Sequence, residues 1–204
     1  MILVTGFGPY REPMNASGEL VASLAASLPD ELSAIADRLA FEVVVCDDSS
    51  RQSEHESLEA RLLDLLRHYR PAACIHTGQA PPYNKITIEK IATNTFMREV
   101  IDPGRPAAYW SDLPASDELR ELLEESEIPA GYSFYGGQHL CNHILYSSLH
   151  FSQVQGFGHR AGFVHIPLLP RQILKEHRES PFMPLSMSRE ALSLVIRHVH
   201  RYLP

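Results

Sequence analysis

The hydrophobic residues of this chain switch repeatedly between a period of two and a period of 3.6, and that alternation restricts it to an α/β architecture. Met1–Thr5 reads as a short apolar strand running into the turn Gly6-Phe7-Gly8-Pro9. Asn15–Leu28 reads as a helix capped by Asn15 or Ser17, and Leu39–Cys46 as a second strand. Ser53–Arg70 carries Leu58, Leu62, Leu65, Leu66 and Tyr69 on one helical face and is stopped by Pro71. Ala72–Thr77 predicts a third strand, ended by Gly78-Gln79-Ala80-Pro81-Pro82, and Lys85–Phe96 alternates as one further strand. Met97–Pro114 reads as loop, Ser116–Glu127 as an acidic surface helix, Gly131–Tyr135 as a strand and Cys141–Val154 as a helix. Arg160–Ile166 predicts the last strand, Pro167–Met187 a proline-rich loop and Ser188–Tyr202 a terminal helix. Strands interleaved with helices imply a mostly parallel or mixed sheet covered on both faces. Ligands of such sheets lie beyond the carboxyl ends of the strands.

Length and composition then limit function. At 204 residues and 44% hydrophobic content, the chain fits one globular domain over residues 1–204, and disorder is excluded as its main state. Apolar runs such as Val43-Val44-Val45-Cys46 are far short of the ~20 residues of a spanning helix, so no membrane association is expected. Met1-Ile2-Leu3-Val4-Thr5-Gly6 lacks the basic start of a signal peptide. With 25 acidic against 18 basic residues and no basic run, nucleic-acid binding is not expected as the main role. The three cysteines, Cys46, Cys74 and Cys141, are too few and too scattered for a disulfide framework and fit a reduced, cytoplasmic protein.

Which cysteine carries chemistry follows from local setting. Cys46 and Cys74 lie in apolar strand stretches and read as packing. Cys141 follows Gly136-Gly137-Gln138-His139-Leu140 and opens a helix, where unpaired N–H groups and the helix dipole favour the thiolate. It reads either as a small core residue or as a nucleophile. A nucleophilic thiol needs a base, and the base an orienting group. Among eleven histidines the best base is His165, held at a strand end before Pro167. His198 and His200 on the last helix are expected in solvent, and His76 as a packed or strand-end histidine. Glu89, between Ile88 and Ile91, is either a paired interior carboxylate or a residue on the solvent face of an edge strand.

Two other sites fit less well. His139, Cys141 and His143 are metal-ligand types close together, but on a helix Cys141 points away from the other two, and no Cys-x-x-Cys or His-Glu-x-x-His companion exists. Gly6-Phe7-Gly8 lacks the third glycine and the acidic partner of a dinucleotide fingerprint.

Six short segments occur in the order found in the pyroglutamyl-peptidase I (pyrrolidone-carboxylate peptidase) family of cysteine peptidases. They are Leu3-Val4-Thr5-Gly6-Phe7, Gly78-Gln79-Ala80, Ile86-Thr87-Ile88-Glu89-Lys90-Ile91-Ala92, Pro106-Ala107-Ala108-Tyr109-Trp110, Leu140-Cys141-Asn142-His143 and Gly162-Phe163-Val164-His165-Ile166-Pro167. The chain resembles that family from residue 1 to about residue 172. The resemblance implies a three-layer α/β/α sandwich and removal of an N-terminal pyroglutamyl residue from peptides through an acyl-enzyme, with no metal or cofactor. It puts the catalytic triad on Cys141, His165 and Glu89, and substrate contacts on Phe7, Tyr10, Gln79, His139 and Leu140. Association of several copies is a further implication.

The departures surround the substrate positions. Gly8-Pro9-Tyr10-Arg11-Glu12 replaces Asp-Pro-Phe-Gly-Gly, Pro81-Pro82-Tyr83 stands where Gly-Gly-Arg is usual, and His139 replaces a phenylalanine. The family's arginine after the glutamate falls near Glu99, one position from Arg98, and the following loop is shorter. Two rivals therefore stand beside the peptidase reading: a thiol hydrolase for a different N-acyl group, and a non-catalytic binding protein on the same scaffold.

Overall fold

A computed structural model describes residues 1–10, 12–45, 51–174 and 177–204, with no side-chain detail at 51–55. Its elements in chain order are β1 (Ile2–Phe7), α1 (Ala16–Ala26), a 3-10 helix (Asp30–Arg38), β2 (Leu39–Val44), α2 (Arg51–Tyr69) and β3 (Ala73–Gln79). Then follow β4 (Ile86–Glu89), β5 (Ile91–Thr93), β6 (Thr95–Phe96), β7 (Glu99–Val100), β8 (Ala108–Trp110) and α3 (Ser116–Glu125). The chain closes with β9 (Ala130–Ser133), α4 (Leu140–Val154), β10 (Arg160–Ile166), α5 (Pro170–Ile173) and α6 (Leu185–Arg201).

Six strands form the central sheet in the order β2-β1-β3-β10-β4-β9. Every pairing is parallel except β10 with β4. Alternate side chains of each strand feed two apolar layers. Ile2, Val4, Ile75, Ile86, Ile88, Val164 and Ile166 pack with α1, α3 and α6 on one face. Leu3, Phe7, Cys74, Ala161 and Phe163 pack with α2 and α4 on the other. The result is the expected α/β/α sandwich. β1, β4 and nearly all of β3 and β10 are buried on both faces, as a doubly covered sheet requires.

The helices dock by the faces that their sequences prescribe. Leu58, Leu62, Leu65 and Leu66 of α2 are all buried, each contributing about 1.5–3 kcal/mol of transfer free energy. Asn15 caps α1, its side-chain oxygen accepting from the Ser17 N–H at 3.0 Å. In α3, Leu119 and Leu123 face inward while the acidic residues stay outside. No helix among the described residues is long and apolar enough to cross a membrane.

The structure differs from the periodicity in several places. Where Lys85–Phe96 predicts one strand, three occur. At Lys90 the chain leaves the central sheet, because the Lys90 N–H bonds the Ser133 carbonyl while its own carbonyl accepts from Ser111. Two short antiparallel pairs follow, β5 with β8 and β6 with β7, so Met97–Pro114 is partly strand. Asp30–Arg38 adds a 3-10 helix that no pattern announced, and Pro167–Met187 contains α5 and the first turn of α6. β1 continues through Phe7, into the first half of the expected turn. His198, expected in solvent, is 2% exposed and donates from Nε2 to the Pro114 carbonyl at 3.0 Å. Cys46 lies outside the described residues. Cys74 is fully buried, and burial pushes its thiol up to about 12.

Candidate active site

Cross-strand register brings three residues side by side on the α4 face of the sheet. Gly78 of β3 stands opposite His165 of β10, and His165 opposite Thr87 of β4. Above them begins α4, with Cys141 as its second residue. The thiol rests almost on the strand. A Cβ at Gly78 would stand 2.8 Å from Cys141 Sγ and 2.7 Å from Phe163 Cζ, closer than real Cβ atoms come. Glycine is therefore required beneath the sulfur.

His165 is 5% exposed and Glu89 fully buried. Nδ1 of His165 lies 2.7 Å from Glu89 Oε1, and Cys141 stands close to the same ring. Burial alone would pull the imidazole pKa down. The electrostatic pull of Cys141, followed by the hydrogen bond and charge of Glu89, outweighs burial and raises it to about 9. Phe163 and Tyr83 enclose the ring, with centroids at 4.6 Å and 5.5 Å, Tyr83 meeting it edge-on. The second carboxylate oxygen of Glu89 has no hydrogen-bond partner among the described residues. Its charge is thus compensated chiefly through the imidazole.

The start of α4 is braced from the side. Asn142 accepts from the Thr93 N–H at 2.8 Å and donates to the carbonyls of Thr93 and Thr95 at 2.9 and 2.8 Å. The Met97 N–H donates to the Gln138 carbonyl at 2.6 Å, and the His139 ring lies between Phe96 and Tyr10 at 5.1 and 5.5 Å. Gly137 takes φ +84°, which lets the chain turn into the helix. The first N–H groups of a helix have no intrahelical acceptor, and Cys141 sits among them at the positive end of the dipole.

The other expected site residues are placed as follows. Phe7 and Leu140 are each 5% exposed and share the α2–α4 core. Tyr10 is half-buried against the same layer. The side-chain oxygen of Gln79 accepts from the Ala16 N–H at 2.8 Å and from Gln172 Nε2 at 2.9 Å. It thereby ties α1 to α5. His143 points the other way, toward Glu59, its Nε2 3.9 Å from the carboxylate. Among the described residues no three His, Cys, Asp or Glu side chains are arranged to hold a metal ion. Arg98 is exposed, and Arg105 is paired with Glu59 at 2.8 Å. Sequence reasoning missed Tyr83 and Asn142. The only signal for Tyr83 is its place in an unusual Pro-Pro-Tyr turn, and Asn142 pairs with strands about 50 positions away.

A thiol at a helix start, an imidazole beside it and a buried carboxylate behind the imidazole make an arrangement that can generate a nucleophile and shuttle its proton. Relatives share the frame. The chain is 33% identical to the pyrrolidone-carboxylate peptidase of Thermococcus kodakarensis over 97% of its length and 95% of that protein's. It is 30% identical to the Bacillus cereus enzyme of the same name, over 96% and 90%. Among solved structures, a mutant pyrrolidone carboxyl peptidase from Pyrococcus furiosus superposes with TM-score 0.84 at 31% identity, covering 100% of this chain and 99% of that one. The Thermococcus litoralis pyrrolidone carboxyl peptidase gives 0.82 at 26% identity, over 98% and 93%. A family model described as pyroglutamyl peptidase matches residues 1–202. The chain belongs to the pyroglutamyl peptidase family of cysteine peptidases.

Proposed function

We propose that this chain hydrolyses the bond after an N-terminal pyroglutamyl residue through a thioester acyl-enzyme, with Cys141 as nucleophile, His165 as base and acid, and Glu89 orienting His165. One observation carries the reading: the buried His165–Glu89 pair, 2.7 Å apart, stands beside Cys141 at the start of α4, close enough for Cys141 to raise the imidazole pKa. The thiolate attacks the pyroglutamyl carbonyl carbon, and the electron pair moves onto oxygen. N–H groups at the start of α4, around Leu140 and Cys141, stabilise that oxyanion by a few kcal/mol. As the C–N bond breaks, His165 passes its proton to the leaving amine. Water then attacks the thioester with His165 taking its proton, and pyroglutamate leaves as the C–S bond breaks. Glu89 holds the tautomer and stabilises the imidazolium throughout.

Pyroglutamate is a flat, neutral lactam, suited to apolar walls and a few polar partners. Phe7, Tyr10, His139 and Leu140 supply the walls in this reading, and the main chain at Gln79 the polar partner. The single domain of residues 1–204 then holds the whole site, and a reduced compartment such as the cytoplasm suits an enzyme with a free thiol.

The test is hydrolysis of a fluorogenic pyroglutamyl amide by the wild-type chain and by Cys141→Ser. Turnover that disappears in the serine variant is expected. Turnover that survives it excludes the mechanism. Preference for a different N-acyl amide over the pyroglutamyl one would leave the mechanism and change the substrate.

A further inference from the structure

We infer that the chain carries a leaving-group pocket that selects a carboxylate on the residue following the pyroglutamyl group. This inference rests on the peptidase reading above. The row of sheet residues beneath the site continues past Thr87, which stands opposite Gly131 of β9. Along this row Cys141 lies over Gly78, and His165 comes next. The acyl group belongs on the side of Phe7 and Gln79, on β1 and β3. The leaving amine takes its proton from His165. The peptide attached to that amine therefore departs in the opposite direction, over β4 and β9.

A pocket of about 140 Å³ lies there. Tyr83, Lys85, Thr87, Tyr132 and Ser133 line it. Tyr83 forms its boundary with the catalytic centre, with its ring edge on His165 and its hydroxyl 3.4 Å from Ser133 Oγ. Lys85 supplies the charge. Its side chain lies across Gly131, where an added Cβ would stand 2.8 Å from Nζ and 2.9 Å from Cε. The absence of a side chain at 131 is what allows the ammonium to lie over the sheet beside Thr87. That ammonium forms no ion pair among the described residues, whereas Lys90, on the same strand's exit, is bonded to Ser116. The wall hydroxyls of Tyr83, Thr87 and Ser133 already donate within the protein, so the Lys85 ammonium is the group at this pocket that lacks a counter-charge, and a carboxylate supplies one. Two sources supply that chemistry: an acidic side chain on the second residue, or the free terminus of a pyroglutamyl dipeptide.

Three substrates separate the cases: pyroglutamyl-glutamate with its α-carboxyl amidated, pyroglutamyl-glutamine with a free carboxyl, and pyroglutamyl-glutamine amide, which has neither charge. The wild type should cleave one or both carboxylate substrates with kcat/KM roughly fivefold above the neutral one, the scale of a partly solvated ion pair. Which of the two is favoured identifies the source. In Lys85→Met that ratio should fall to about one, and in Gly131→Ala, which displaces the ammonium through the flexible end of its side chain, it should fall in the same direction. Equal rates on all three substrates in the wild type overturn the inference and leave the peptidase reading intact. A preference unchanged in Lys85→Met overturns it as well. Failure to cleave any of the three, the neutral one included, overturns both.

Discussion

Glu89 and His165 meet along a diagonal of the sheet. On the antiparallel strands β4 and β10, Glu89 stands opposite Phe163 and His165 opposite Thr87, yet the carboxylate reaches Nδ1 at 2.7 Å. Diagonal neighbours in a sheet are separated by more than directly opposed ones, and only a long side chain spans the gap. Glutamate has that reach; aspartate is one methylene short. The Phe163 ring, which fills the directly opposed place, packs on His165 and holds the imidazole toward the start of α4.

This arrangement makes the carboxylate testable in two ways. Glu89→Gln should lower kcat by about 10³ to 10⁴, the scale for loss of a tautomer-fixing carboxylate. Glu89→Asp should lose part of that, because of reach. The pH profile carries the sign. His165 sits at about 9, and Glu89 contributes to raising it by favouring the protonated form. Removing the carboxylate therefore moves the alkaline limb of kcat/KM to lower pH. A Glu89→Gln limb that remains near pH 9 would show that Glu89 has no electrostatic hold on the base.

Asn142 should matter for both stability and rate. Asn142→Ala strips the Thr93 N–H and two buried-side carbonyls, those of Thr93 and Thr95, of their partner. At about 1–3 kcal/mol for each group left unpaired, the loss should be roughly 3 kcal/mol or more. The neighbouring Cys141 then loses its fixed position, and a displacement on the order of 1 Å costs about 10² in rate. Urea unfolding and the rate of Cys141 alkylation, measured together, check both halves. Alkylation at the wild-type rate in a destabilised protein would assign Asn142 to stability alone.

The sequence carried the elements and the reacting groups because their signals are local. The α2 face repeats leucine at helical spacing, and Cys141, His165 and Glu89 sit in short segments whose residue types already suit their roles. What stayed hidden depends on distant partners. Lys85–Phe96 keeps its alternation across a change of sheet, since the period persists while the strand partner changes at Lys90. His198 looks like a residue of a solvated helix face until Pro114, 84 positions away, supplies its acceptor. Gln79 reads as a substrate ligand, and only the folded chain brings Ala16 and Gln172 to its amide.

Gly78 offers a direct test of how closely the thiol lies on the sheet. In Gly78→Ala the new methyl would meet Cys141 Sγ at 2.8 Å and Phe163 Cζ at 2.7 Å. Neither neighbour can yield freely, because the sulfur belongs to a braced helix start and the ring to the core. Overpacking of this kind typically costs about 1–3 kcal/mol. The displaced thiol should also lose contact with His165, so kcat should fall by at least about 10². An alanine variant with normal turnover would mean that the helix start can move without consequence.

Acid sensitivity should come from two histidines that take no part in catalysis. His76 lies fully buried on β3 with Nδ1 2.8 Å from Thr5 Oγ1, and burial, then repulsion from His159, pulls its pKa down to about 3. His159, 2% exposed and 3.0 Å from Ser148 Oγ, is pulled by burial to about 4. Both fold as neutral rings, whereas in the unfolded chain each takes a proton near pH 6.5. The unfolded state therefore binds more protons as pH falls, and the stability present above about pH 6.5 is lost progressively, to about 4 for His159 and about 3 for His76. His165 has the opposite sign: its folded value of about 9 gives stability that is complete below 6.5 and lost between 6.5 and 9. It therefore contributes no slope on the acid side. Two neutral-buried imidazoles give up to about 2.7 kcal/mol per pH unit between pH 6 and 5. Urea unfolding at half-unit steps measures that slope, and His76→Gln should reduce it by about half even if the variant is less stable at pH 7. A wild-type slope near zero in this window would mean that both rings are protonated in the folded protein, and half the slope that one of them is.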